Sequence, residues 1–407
     1  MKAFANQFSF RVDNQLKIIN LLRRGPQSIY FLAEHADISF TATNKIVDQL
    51  ASFDIVTKLP LIPSEKKRGR FPSLVSLNTS VGVTCAIDLS SQDLIITLND
   101  LMGTVLAKRT INNATFVEEE TLGQITTAIK EMLLEKEVEN RPLLGICIAS
   151  PGLISKTTGE IDVSFRIKVA SSISLNNYFF NQFGVKTNIY NDVKISCLGE
   201  TIYGCVPKGT KSFLYVHLGN GCGSALVVDG KIHQGKNGFS GELSNIKDNN
   251  TNNRLYGLRS LTAEAARIDP SLQYDPNYST IDIEKMKEDY KNGNPSLLKA
   301  IDEMARLNAI QLIAYNDMLD LEYIIIEGPM LLFKEKFKES LLKYINYYDM
   351  VEFRAKILFS SLNESSSLMG AIYQANSIYF LDKLEEITNI RDPKGNYDIS
   401  ETFGDYI

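Results

Sequence analysis

Four cations fall within five residues at Lys66, Lys67, Arg68 and Arg70, with Gly69 among them. Charge this dense suits a polyanion: each side chain can neutralise a phosphate, and an arginine beside a glycine can enter a minor groove. Upstream, Thr41, Asn44 and Lys45 offer a hydroxyl, an amide and an ammonium group, the donors and acceptors that read base edges. The five cysteines (Cys85, Cys147, Cys197, Cys205, Cys222) and three histidines (His35, His217, His233) are scattered, with no CxxC pair. Buried thiols are therefore expected, and a metal centre built from these residues is not.

The elements that must hold the polar residues are legible nearby. Leu16, Ile18, Ile19, Leu21 and Leu22 predict a helix, stopped by Arg23-Arg24-Gly25-Pro26. Ser28 is placed to cap a short second helix ending near Ala36, and Ser39 a third. In the third, Thr43, Ile46, Val47 and Leu50 recur at helical spacing and form a buried face, so Thr41, Asn44, Lys45 and Asp48 face outward. This is the helix-turn-helix pattern, whose last helix enters a major groove. Two strand-like runs, Ile55–Leu61 and Ser73–Leu77, flank the cations, so Lys66–Arg70 become the tip of a wing. Taken singly, the helix also fits a small bundle and the cations a solvated loop. Their coincidence within residues 1–80 favours DNA binding. Those residues carry 11 Lys and Arg against 6 Asp and Glu, the remainder 32 against 42, a basic head on an acidic body.

A chain of 407 residues, 44% hydrophobic and 22% charged, is globular rather than disordered, and too long for one core. Its longest apolar runs fall well short of the ~20 residues that span a bilayer. No basic segment with an apolar stretch and a small-residue cleavage site opens it, so the expected location is cytoplasmic. From Val81 strands alternate with helices: Val83–Leu89, Leu94–Asn99 and Gly103–Arg109, a helix over Glu118–Leu134, then a strand over Leu144–Ala149. A similar set restarts at Ser212–His217 and Gly223–Val228, where Asp229-Gly230 turns a hairpin into Lys231–His233. Two related lobes are predicted, with a ligand in the cleft between them. Ser296–Leu319 and Lys334–Tyr344 read as long amphipathic helices, and the acidic, aromatic tail after Tyr379 as either a docking segment or a frayed end.

Several strings recur in order: Ser150-Pro151-Gly152-Leu153, Asn191-Asp192 with Leu198-Gly199-Glu200, Leu218-Gly219-Asn220-Gly221-Cys222-Gly223, Val228-Asp229-Gly230, Gly235-Lys236-Asn237-Gly238 with Gly241-Glu242, Glu327-Gly328, and Leu368-Met369-Gly370-Ala371-Ile372. In them the chain resembles the ROK family, which groups bacterial sugar repressors with sugar kinases. The resemblance implies an α/β fold: an N-terminal winged helix-turn-helix (1–80), then a two-lobed actin-like, ribonuclease-H-like body. Lobe one would span 81–190, completed by a C-terminal helix at 365–385; lobe two would span 191–364, and a tail 386–407.

In kinases of the family the aspartate at the position of Asp192 is the general base; in a repressor it can simply bind sugar. Asn191, Asp192 and Glu242, with Asn237 and Asn245, are the implied ligand contacts, since carboxylates and amides satisfy hydroxyls as acceptors or donors. Asp192 can equally be a turn or cap residue, and Glu242 a solvated loop acid. The family's kinases carry Asp-x-Gly-Gly-Thr where this chain reads Asp88-Leu89-Ser90-Ser91-Gln92, without the glycines or the threonine that let backbone approach phosphate. The second phosphate loop, Gly219–Gly223, is intact in sequence, or else a tight strand connection. Many members also hold a structural zinc through a histidine and three cysteines. Here Asn245 takes the histidine position and 248–258 contain no cysteine, so neither metal nor cofactor is expected.

The resulting expectation is a sugar-responsive regulator, not an enzyme, that binds a near-palindromic operator as a homodimer or homotetramer. The alternatives are an ATP-dependent sugar kinase with an accessory head, and a DNA-binding protein whose sensor has decayed.

Overall fold

The computed structural model describes residues 2–59, 74–90, 93–112, 116–117, 119–155, 158–163, 168–169, 174–243, 256–275, 280–349 and 353–388. The chain divides into two compact units, one formed by Met1–Ile195 with the stretch from Ser367 onward, the other by Ser196–Ser366.

The first unit begins with α1 (Lys2–Leu22), which buries Val12, Leu16, Ile18, Ile19 and Leu22. Gly25 follows it at a φ of 119°, a conformation open to glycine at little cost, and Pro26 cannot donate to a continuing helix. Next come β1 (Gln27–Ser28), α2 (Ile29–Ala36) and α3 (Phe40–Ser52). Ser28 accepts from the Phe31 amide and Ser39 from the Ala42 amide, so both predicted caps form. Thr43, Val47 and Leu50 are buried on α3, with Ile46 packed at the edge. Strands β2 (Val56–Leu59) and β3 (Leu74–Leu77) pair antiparallel, and β1 joins the free edge of β3. The tip between β2 and β3, with Lys66, Lys67, Arg68 and Arg70, lies outside the described residues.

The rest of this unit is a five-stranded sheet ordered β12-β8-β4-β5-β6. Its antiparallel part is β4 (Val83–Asp88), β5 (Leu94–Asn99) and β6 (Val105–Ile111). After β7 (Phe116–Val117) and α4 (Glu119–Met132), β8 (Leu143–Ser150) lies parallel to β4. Strands β9 (Leu153–Ile154) and β10 (Ile161–Val163) form a ribbon, β11 (Lys168–Val169) pairs with β7, and α5 (Leu175–Phe183) leads to β12 (Thr187–Asn191), parallel to β8. Strand β4 is buried throughout, and β8 along its last six residues, which is why their sequences are apolar runs rather than alternations. Helix α6 (Asp192–Tyr203) then leaves the sheet.

The second unit repeats the plan. Strands β13 (Phe213–Leu218), β14 (Cys222–Val228) and β15 (Lys231–Ile232) are antiparallel. Asp229 and Gly230, at φ of 51° and 71°, make the predicted hairpin turn. Helices α7 (Leu258–Ile268), α8 (Ile283–Lys291) and α9 (Pro295–Leu319) precede β16 (Tyr323–Glu327); α10 (Lys334–Tyr348) precedes β17 (Lys356–Phe359). The sheet order is β15-β14-β13-β16-β17, with β13, β16 and β17 parallel, the same two-part arrangement as the first sheet.

Helix α11 (Ser366–Thr388) returns the chain to the first unit. Residues 371–380 are all buried, so α11 is enclosed on every side instead of showing one solvent face. Asn376 accepts from Thr84 of β4 and donates to the Asp100 carbonyl, while Tyr379, Phe380, Leu384 and Ile387 enter the same core as α1, α2 and α3. As far as Thr388, the segment after Tyr379 is thus docked rather than frayed. No helix among the described residues is long and apolar enough to cross a membrane. Cys85, Cys147 and Cys197 are buried, whereas Cys205 and Cys222 are only partly so, because each lies at the end of an element rather than inside it.

Candidate functional site

On the head, Thr41 and Lys45 are exposed on α3 and Asn44 is half-buried. The Asn44 amide donates to Asp48 Oδ2 at 3.2 Å, and Asp48 Oδ1 accepts from Lys58 Nζ of β2 at 2.5 Å. Asp48 thus bridges the Asn44 amide and the Lys58 ammonium. Beside these residues, the ring of Phe40, the first residue of α3, lies tilted against that of Tyr30 of α2 with centroids 4.5 Å apart. Sequence periodicity did not single out either ring.

A polar cluster sits where β4, β8 and β12 end side by side. In register, Asn191 lies opposite Ser150, and Asp88 opposite Ala149. Asn191 donates to the Gly152 carbonyl at 2.9 Å, which ties the Ser150-Pro151-Gly152 turn to the start of α6. Its side-chain oxygen accepts from the Lys194 amide at 3.0 Å, so Asn191 does the capping that the sequence left open for Asp192. Asp192 accepts from the Val193 amide and, across 3.2 Å, from the Asn191 amide, and is half-buried at the mouth of the cluster.

Asp88 is the unexpected member. It is buried, and its carboxylate accepts from both the amide and the hydroxyl of Ser90. Burial pushes its pKa up against the Ser90 hydrogen bonds, and the neighbouring charge of Asp192 pushes the same way. Ser367 of α11 lies beside it. Where kinase-like glycines would open a phosphate cradle, the backbone is instead pinned to a buried acid.

In the second unit, Asn237 is exposed and Glu242 half-buried on the loop after β15. That loop is anchored at Gly241, whose carbonyl accepts from the Ser224 amide and hydroxyl. Asn245 lies outside the described residues. The structure thus gathers Asn191 and Asp192 with Asp88 in one unit, and Asn237 and Glu242 on one loop of the other.

The turn between β13 and β14, at Gly219–Gly221, is crowded at the buried Gly219 and open at Asn220 and Gly221. A Cβ on Gly257 would stand 2.3 Å from the Gly219 carbonyl, which accepts from the Leu258 amide at the start of α7. His217 crowds the turn as well: its Nε2 would be 2.2 Å from a Cβ on Gly219. Its Nδ1 bonds Glu327 at 2.5 Å, and Tyr215 donates to the same carboxylate. Among the described residues no group of three or more His, Cys, Asp or Glu is placed to hold a metal ion. The family's zinc donors are likewise missing from the sequence around Asn245 and 248–258, so this chain does not fit that metal.

A family model described as ROK family matches residues 84–377. The chain belongs to the ROK family. This ROK protein is 24% identical over 365 residues to a xylose repressor of Caldicellulosiruptor bescii, covering 84% of this chain and 89% of the relative. It is 26% identical over 223 residues to the DNA-binding transcriptional dual regulator NagC of Escherichia coli, covering 55% of this chain and 54% of that protein. Among solved structures, a ROK family transcriptional regulator, a homologue of the E. coli MLC protein, aligns over 93% of this chain and 99% of its own with a TM-score of 0.74 at 19% identity. A ROK glucokinase of Streptomyces griseus, in complex with glucose and AMPPNP, aligns over 73% of this chain with a TM-score of 0.58 at 17% identity. At these identities the likeness establishes the fold.

Proposed function

We propose that this ROK protein is a sugar-responsive transcription regulator, working as a repressor and not as a kinase. The observation that carries the reading is the head: a capped helix-turn-helix with polar residues outward on α3, sharing one core with α11 of the body. Thr41, Asn44 and Lys45 read bases, and Lys66, Lys67, Arg68 and Arg70 hold backbone or minor groove. Asn191, Asp192 and Glu242, with Asn237 and Asn245, take a sugar or sugar derivative. Repressor relatives support the reading at low identity. The absence of phosphoryl transfer is supported by the Asp88–Ser90 geometry and by the missing glycines after Asp88.

Binding as a dimer or dimer of dimers would match a two-fold operator. The test is retention of the protein's own promoter fragment at rising salt, with and without candidate sugars. The expected result is salt-sensitive retention that one sugar class changes. ATP-dependent phosphorylation of a hexose or amino sugar, abolished by Asp192→Asn, would establish the kinase instead.

A further inference from the structure

Large aromatic side chains left in water need a reason, and two of them stand at the leading edge of the helix-turn-helix. Tyr30 is 66% exposed and Phe40 43% exposed, although their rings touch. Phe40 directly follows the Ser39 cap, and Tyr30 is the second residue of α2. Residues at the N-terminal end of a recognition helix are the ones that reach base edges. The chemistry on offer is an apolar ring edge within one turn of Thr41 and Asn44, on a basic head.

In a major groove the only apolar group a base presents is the C5-methyl of thymine. We propose that the Tyr30–Phe40 pair is a thymine-reading element, in which Phe40 packs on a thymine methyl beside the bases met by Thr41, Asn44 and Lys45. This deepens, and rests on, the DNA-binding reading. Tyr30 backs the Phe40 ring and keeps its orientation. The net basic charge of the head favours duplex DNA as the occupant over an apolar protein surface.

The experiment compares the promoter fragment from upstream of the protein's own gene, synthesised with thymidine or with deoxyuridine throughout. Uracil pairs as thymine does and lacks only the methyl. The wild-type protein is expected to bind the uracil fragment about tenfold more weakly, the scale of one good base contact. Phe40→Ala is expected to bind the thymine fragment that much more weakly and to lose the preference between the two. Phe40→Leu, which keeps an apolar group, should restore part of the preference; a merely structural role for the ring would leave the ratio unmoved.

Equal wild-type binding to both fragments overturns the proposal while leaving DNA binding intact. So does a Phe40→Ala protein that is weakened yet keeps the full preference. Retention of neither fragment by the wild type at any salt overturns the DNA-binding reading and this proposal with it.

Discussion

Arg23, which reads in the sequence as part of a helix stop, is the sharpest place to perturb the head. Its side chain is buried, with only 8% exposed, and it lies over the Tyr373 ring at 4.0 Å and the Phe380 ring at 5.1 Å. It donates to the Ser377 hydroxyl at 3.0 Å and to the Tyr373 carbonyl at 3.4 Å, both on α11. A desolvated cation over an aromatic face contributes about 2 kcal/mol, and the shorter charged hydrogen bond about 1.5 kcal/mol. Against this, Nε is buried with no acceptor among the described residues, which costs about 1.5 kcal/mol. Arg23→Met keeps the aliphatic contacts and removes the rest, a net loss of about 2 kcal/mol, or roughly thirtyfold in the opening equilibrium between α1 and α11. Hydrogen exchange followed by mass spectrometry should show that increase in peptides covering α1 and residues 370–388. Arg23→Lys, which retains a cation but not the planar fork, should fall between. Unchanged exchange in both helices for Arg23→Met would refute the energetic assignment.

Three further outcomes follow from single positions. Gly370→Ala should destabilise the first unit by about 2–3 kcal/mol in denaturant unfolding, because the added Cβ would stand 1.9 Å from the Ile195 carbonyl and overrides the better helix propensity of alanine. Glu200 is buried and accepts from the hydroxyls of Ser360 and Ser366 and the amides of Leu362 and Cys205. Burial pushes its pKa up, but those donors together outweigh it and hold the group below its ordinary value of 4.5. Its stabilisation is therefore present above the unfolded-state value and lost as pH falls through the folded one. Glu200→Ala should cost about 3 kcal/mol at neutral pH and noticeably less in acid, read by thermal unfolding across pH. Asp88 has the opposite sign: its raised pKa means that stability is lost as pH rises from the unfolded value through the folded one. Asp88→Asn should raise the unfolding temperature at pH 8 and change it little near pH 3, where the wild-type carboxyl is itself protonated; no gain at pH 8 would contradict the burial penalty.

Periodicity and punctuation carried most of the architecture into view. The caps at Ser28 and Ser39, the hairpin at Asp229-Gly230 and both β-β-β sets are local, each written in a few adjacent residues. Ends were blurred where apolar pattern and hydrogen bonding disagree, as at α10, which runs to Tyr348 beyond the apolar stripe that ends at Tyr344. What stayed hidden depends on contacts between distant positions. Arg23 and Ser377 are 354 residues apart, and Glu200 and Ser360 are 160 apart. No local signal tells a buried arginine from a solvated one, or a carboxylate hub from a surface glutamate. Asp88 illustrates the same limit: the loss of glycines after it was visible, its burial was not.

Helix α11 gives the regulator reading a physical bound. Its first turn lies beside Asp88, which lies beside Asp192, and its Tyr373 and Ser377 hold Arg23 of the head. From Ser367 to Tyr373 the helix rises about 9 Å, less than two turns. On the regulator reading, a pull on Asp192 would reach the head through the Arg23 contacts, the Tyr373–Asn20 hydrogen bond and the apolar core that α11 shares with α1, α2 and α3. The Arg23 contacts, at about 2 kcal/mol, bound their own share of such a response at roughly thirtyfold. A promoter response to a candidate sugar that is unchanged in Arg23→Met would mean that these contacts do not carry the signal.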